Sequence, residues 1–186
     1  NDTRVIPARL KGIRETGGQC EIFLLKNLTP DFLIWEALVK PAKKIHEGSA
    51  IKINNAKINI ISEKPEGIRI IKFNFKNYSE FINFLESSGK VPLPPYIKND
   101  SPGIKEAYQT VFAKNNGSVA APTASLHFTQ ELLNQIKNSG VKIAYLTLHV
   151  GLGTFRPVMT QDIRDHEIHS ERCEISEDTA GIINSH

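Results

Sequence analysis

Apolar positions between residues 11 and 75 come in short runs broken by Gly, Pro and Asn. Cys20-Glu21-Ile22-Phe23-Leu24-Leu25 reads as a strand closed by Asn27 and Pro30, and residues 35–39 read as another, ended by Pro41. Residues 49–53 and 58–62 give two more. In 71–76, Ile71, Phe73 and Phe75 alternate with Lys72, Asn74 and Lys76, the period of a strand buried on one face. Short strands with turn signals at close intervals predict a small β-barrel or sandwich.

The pattern then changes. Phe81, Ile82 and Leu85 predict a short helix stopped at Gly89, a residue able to take the left-handed cap conformation. Pro92-Leu93-Pro94-Pro95-Tyr96 reads as a stiff extended connector. Residues 104–114 read as helical. Thr129 is placed to N-cap a helix with Glu131 in its first turn, Leu132, Leu133 and Ile136 on one face, and Gly140 as its stop. Residues 141–150 read as a mostly buried strand running into Gly151-Leu152-Gly153, and Ser176 with Glu177 and Asp178 announces a last helix. Helix, strand and glycine turn in succession predict an α/β architecture.

Composition narrows the class. With 186 residues, 40% of them hydrophobic, and a net charge of +3, the chain is long enough for a real core and too apolar for disorder. No apolar run approaches the roughly 20 residues of a membrane span, and two distant cysteines, Cys20 and Cys173, make neither a disulfide framework nor a paired metal site. A reducing cytoplasm is the expected location. The chain opens Asn1-Asp2-Thr3-Arg4 without Met and closes Asn184-Ser185-His186 within a helical pattern. It is therefore expected to be processed or part of something longer.

Three stretches carry candidate chemistry. In residues 117–129, Ala121, Pro122, Thr123 and Ala124 are small, so a ligand can approach the backbone closely, with free N–H groups ahead at a helix start. The competing reading is a tightly packed loop. In residues 147–157, Thr147 and His149 share a strand face, and Gly151, Gly153 and Thr154 follow at the strand's carboxyl end, where ligands of open α/β sheets collect. With no third glycine and Pro157 close behind, Gly-x-Gly here is no dinucleotide fingerprint. A satisfied core histidine is the alternative for His149. The third stretch holds His166, His169 and Glu171. Two histidines three apart could face a zinc ion, but without a third ligand they read better as acid–base or structural groups. Arg4 and Arg9 can grip a carboxylate or phosphate, or form surface ion pairs.

Several strings occur in a fixed order: Asn1-Asp2-Thr3-Arg4-Val5-Ile6-Pro7-Ala8-Arg9-Leu10, Glu15-Thr16-Gly17-Gly18, Pro92-Leu93-Pro94-Pro95-Tyr96-Ile97, and Tyr108-Gln109-Thr110-Val111. Ser118-Val119-Ala120-Ala121-Pro122-Thr123-Ala124 with Leu126-His127-Phe128 follows, then Thr147-Leu148-His149-Val150-Gly151-Leu152-Gly153-Thr154-Phe155, then His166 with His169-Ser170-Glu171. Together they closely resemble the S-adenosylmethionine:tRNA ribosyltransferase-isomerase family of bacterial queuosine biosynthesis, over essentially the whole chain. The resemblance implies a fold of two classes, α/β plus all-β, in which an α/β domain (residues 1–10 and 93–186) carries an inserted six-stranded β-barrel domain (residues 11–92).

The resemblance also implies the chemistry. The ribosyl part of S-adenosylmethionine is transferred to 7-aminomethyl-7-deazaguanine at the wobble position of tRNA. Adenine and methionine leave, and the ribose becomes an epoxycyclopentane, giving epoxyqueuosine. S-adenosylmethionine is thus a substrate, and no metal is required. A hydrogen next to the sulfonium must be removed, adenine must be protonated as it leaves, and the attacking amine must be uncharged. Such tasks suit imidazole or carboxylate groups near neutral pH. On that basis His127, His149, His166 and His169 are the catalytic candidates, with Glu171 orienting one of them. Ala121, Pro122, Thr123, Ala124, Thr147, Gly151, Gly153 and Thr154 are expected to line the nucleoside pocket, with Arg4 and Arg9 on the methionine carboxylate or an RNA phosphate.

The chain departs from the family in places. Family members continue beyond both ends of this segment, usually carry Gly where Ser125 stands, and mostly carry an acidic residue where this chain has Ile104. The site is therefore expected to need residues outside this chain. The competing functions are a non-catalytic tRNA-binding module and, on His166 and His169, a metal-dependent hydrolase. The expected state is a monomer without a membrane partner.

Overall fold

The computed structural model describes residues 1–94, 97, 103–151, 153, 160–165 and 170–186. His166, His169 and Thr154 lie outside them. The described residues divide into two units, Ile6–Pro92 and Asn1–Val5 with Leu93–His186. The first is inserted in sequence within the second. Among the described residues, no helix is long and apolar enough to cross a membrane.

The inserted unit is a closed antiparallel barrel of six strands, β2 (Arg9–Arg14), β3 (Gln19–Asn27), β4 (Ile34–Lys40), β5 (Ala50–Ile53), β6 (Ala56–Glu63) and β7 (Ile68–Phe73). They pair in the order β3-β4-β7-β6-β5-β2, and β2 pairs back onto β3 to close the ring. Closure leaves no long unpaired edge. Alternation sets the inside: Trp35, Ala37 and Val39 on β4, Ile58 and Ile60 on β6, and Ile71 and Phe73 on β7 are all buried. Helix α1 (Tyr78–Ser88), N-capped by the Asn77 side chain, adds Phe81 and Leu85 to that core. The Phe81 ring stands 5.0 Å from Phe73 and 5.9 Å from Trp35. Burying side chains of this size contributes about 1.5–3 kcal/mol each.

One charge is also buried. Arg69 donates to the carbonyls of Ile45 (2.8 Å), Ile68 (2.8 Å) and Ala42 (2.9 Å), and its guanidinium lies 2.9 Å from Glu63. These partners replace the water that burial removes.

Gly89 ends α1 as expected but without a left-handed cap: its φ is −97°. The need for glycine has another cause. The short strand β8 (Gly89–Lys90) pairs with β2, and a Cβ at Gly89 would sit 2.1 Å from the Pro7 carbonyl oxygen.

In the second unit, β1 (Thr3–Val5) runs parallel to β9 (Asn115–Ser118), and β10 (Thr147–His149) runs antiparallel to β11 (Arg172–Glu174). Asn1 and Asp2 join the pairs. Asn1 Nδ2 donates to the Leu148 carbonyl (2.9 Å), and the Asp2 amide donates to that of Leu146 (2.9 Å). Gln109 serves β1 like a neighbouring strand, accepting from Val5 N at 3.0 Å and donating to Val5 O at 2.8 Å.

The helices α2 (Ile104–Ala107), α3 (Gln130–Asn138) and α4 (Glu177–Asn184) complete the unit. Thr129 and Ser176 cap α3 and α4 through their hydroxyls, as their positions predict. Thr179 of α4 donates to the Tyr145 carbonyl at 2.7 Å.

Two expected elements are shorter than the pattern suggests. The helix expected over 104–114 stops at Ala107: Thr110 turns the chain back with its own oxygens, and the Lys114 amide goes to Asp2 O at 2.8 Å. Of the strand expected over 141–150, only Thr147–His149 is laddered. Val141 is 54% exposed, so an apolar run without a paired neighbour stays outside the sheet.

Candidate active site

The strand ends of the α/β unit place Thr3, Gly117 and Ser118 around His149. Its Nδ1 lies 3.0 Å from Thr3 Oγ1, which lies 2.6 Å from Ser118 Oγ. The Val150 amide donates to Ser118 Oγ at 2.8 Å, and the Val119 amide donates to the Val150 carbonyl at 3.0 Å. These bonds bring β1, β9 and β10 together at one point. The ring also rests on Gly117: a Cβ there would stand 2.6 Å from Cε1, 2.7 Å from Nδ1 and 3.1 Å from Nε2 of His149. Glycine at 117 is thus the space the imidazole occupies. Burial holds the His149 imidazolium below the usual histidine range, and Arg172 acts in the same direction, against the carboxylates of Glu174 and Asp2.

Thr147, on the same strand, is buried and engaged. Its hydroxyl donates to Asp2 Oδ1 at 2.6 Å and accepts from Asn115 Nδ2 at 3.0 Å. It holds the strand ends in place. Beyond β10 the Gly151 amide donates to Glu171 Oε1 at 2.9 Å. Among the described residues Glu171 orients the glycine turn, and no hydrogen bond joins it to His127 or His149.

The small-residue stretch follows β9 directly. Ala121 is buried, Pro122 is half-buried, and Thr123 and Ala124 are exposed at the start of a short 3-10 turn, Thr123–His127. His127 closes that turn, exposed, with no hydrogen bond to His149. The Val119–Val150 bond ties the root of this stretch to the root of the glycine turn that holds Gly151 and Gly153.

The two arginines have different surroundings. Arg4, on β1, is half-buried and has no ion-pair partner among the described residues. Arg9 belongs to the barrel, where its guanidinium carbon lies 5.4 Å from the Phe23 ring centre and Nη1 lies 3.8 Å from Glu21.

Thr3, Gly117 and Ser118 carry no pattern that ties them to His149. They belong to strings that read as a strand start and a small-residue loop, and nothing local marks their hydroxyls or the missing side chain as a histidine's support. Among the described residues, no group of three His, Cys, Asp or Glu side chains is placed to hold a metal ion.

The same chain, compared with known proteins, matches the model of a family described as queuosine biosynthesis protein over residues 1–186. It is 51% identical to the S-adenosylmethionine:tRNA ribosyltransferase-isomerase of Clostridioides difficile (strain 630), covering 99% of this chain and 53% of that protein. The chain thus spans about half the length of this curated relative. A solved structure of S-adenosylmethionine tRNA ribosyltransferase from Thermotoga maritima is 28% identical, with a TM-score of 0.38 over 81% of this chain and 39% of that one. With the family match running from the first residue to the last, the chain belongs to the queuosine biosynthesis protein family.

Proposed function

We propose that the protein carrying this chain transfers and isomerises the ribosyl moiety of S-adenosylmethionine onto 7-aminomethyl-7-deazaguanine at the wobble position of tRNA. The products are epoxyqueuosine, adenine and methionine. The observation that carries this reading is the 51% identity, across 99% of the chain, to a relative named S-adenosylmethionine:tRNA ribosyltransferase-isomerase; the acceptor base and the products go beyond that name and come from the motif resemblance. The built surroundings of His149 support it. A half-buried imidazole with a bonded hydroxyl behind it and a glycine cleared for its ring is more than a core histidine requires.

Within this reading, the proton-handling groups are among His127, His149, His166 and His169, with Glu171 orienting one of them. Residues 121–124 with Thr147, Gly151, Gly153 and Thr154 form the nucleoside wall. Thr147 acts there through Asp2 and Asn115, since its hydrogen is already bonded. Arg4 is the better of the two arginines for the methionine carboxylate, because Arg9 is engaged by Glu21 and Phe23. The reaction needs no metal, and the protein works as a cytoplasmic monomer.

The test uses the protein at the full length of its relative, incubated with S-adenosylmethionine and tRNA bearing the deazaguanine. Adenine release and epoxyqueuosine on nucleoside analysis are expected, unchanged by a chelator. Retention of the tRNA without adenine release would instead make the protein a binding module. Replacing the four histidines one at a time should slow adenine release in at least one variant, and four variants at wild-type rate would remove them from the chemistry.

A further inference from the structure

We propose that Thr3 and Ser118 hold His149 as the neutral tautomer with its proton on Nε2, so that His149 meets the nucleoside substrate as a fixed hydrogen-bond donor and not as a base. The inference rests on the ribosyl-transfer reading for its ligand, but the tautomer follows from hydrogen-bond accounting alone.

A backbone N–H can only donate, so Val150 commits a lone pair of Ser118 Oγ. Ser118 and Thr3 are both buried, at 0% and 1% exposure, so each hydroxyl hydrogen needs an acceptor inside the protein. Among the described residues, the acceptor for the Ser118 hydrogen is Thr3 Oγ1 at 2.6 Å, and that for the Thr3 hydrogen is His149 Nδ1 at 3.0 Å. Every hydrogen is then placed, and Nδ1 presents its lone pair. The reverse direction, from an Nδ1–H through Thr3 to Ser118, leaves the Ser118 hydrogen buried with no acceptor among the described residues. An imidazolium meets the same obstacle, because it too must donate from Nδ1.

The surroundings agree. Burial and Arg172 disfavour the imidazolium, while Glu174 and Asp2 oppose them. Gly117 lets the ring sit against β9 with Nδ1 on Thr3. Nε2–H has no hydrogen-bond partner among the described residues, and in this tautomer Nε2 has no lone pair with which to take a proton. It can orient an acceptor atom of the nucleoside, a ribose oxygen or a ring nitrogen. Removal of the hydrogen beside the sulfonium then belongs to another group. Thr3 and Ser118 are positioning residues that act through the ring.

Two measurements test this. Long-range proton–nitrogen correlation spectra of the 186-residue chain labelled with 15N-histidine separate the two tautomers, because protonated and bare ring nitrogens resonate in different ranges. At pH 7 the bare nitrogen is expected at Nδ1. Thr3→Ser should keep that pattern, and Thr3→Val should erase the preference. An Nδ1–H tautomer or an imidazolium in the wild-type chain at pH 7 overturns the proposal. In the full-length protein, His149→Gln can donate near the Nε2 position but cannot act as a base. Adenine release should stay within about tenfold of wild type for His149→Gln and fall about 10²-fold or more for His149→Ala, the loss typical of a removed donor. Equal inactivity of the two variants, both folded by circular dichroism, also overturns the donor role. If the wild-type protein releases no adenine, the ribosyl-transfer reading fails while the tautomer result stands by itself.

Discussion

Gly117→Ala separates two costs that the structure places at one residue. Gly117 has φ +148°, where a side chain is strained at about 1–3 kcal/mol. The added methyl would also enter the space of the His149 ring, 2.6 Å from Cε1. The ring is held on Thr3 and yields only by breaking that bond, and overpacking of this kind costs about 1–3 kcal/mol. The single variant should therefore lose about 2–6 kcal/mol of local stability. In a His149→Ala background the steric part vanishes and the backbone part remains. The same substitution should then cost about 1–3 kcal/mol less, a coupling well above the 0.3–0.5 kcal/mol scatter of independent sites. Native-state hydrogen exchange of the Val119 and Val150 amides reads the opening free energy where β9 meets β10. Additive losses in the double-variant cycle would show that the ring does not rest on Gly117.

Two further outcomes concern the barrel. Gly89→Ala places a methyl 2.1 Å from Pro7 O without any backbone strain, so it should lower the urea stability by about 1–3 kcal/mol, followed by the fluorescence of Trp35; an unchanged midpoint would refute the close approach. The Glu47 amide, aided by His46 and Arg69, holds the Glu63 carboxyl below its ordinary value. A depressed folded pKa contributes stability above the unfolded value of about 4.3 that is lost as pH falls through the folded one. Glu63→Gln should therefore lower the urea midpoint at pH 7, and the difference from wild type should shrink on acidification; a difference constant with pH would refute it.

Local signals carried far where the physics was local. A hydroxyl before an acidic first turn marked Thr129 and Ser176 as caps, because the groups that satisfy a helix start lie within three residues of it. Alternation marked Ile71 and Phe73 of β7, and short apolar runs between turn residues marked β4 and β6, because one face of each strand is buried. The same reasoning overran at residues 104–114 and 141–150. There the backbone's partners were decided by Asp2 and by the presence or absence of a neighbouring strand.

By itself the sequence determined the two regimes and the family resemblance, and it offered His149 with the glycine turn as candidates for chemistry. Only the tertiary structure decided what holds the His149 ring. Its support comes from Thr3, 146 positions away, and Ser118, which is itself 115 positions from Thr3. Periodicity records burial, which neighbouring residues share along one element. The direction of a buried hydrogen-bond chain depends on which distant strands the topology sets side by side, and no local pattern encodes that.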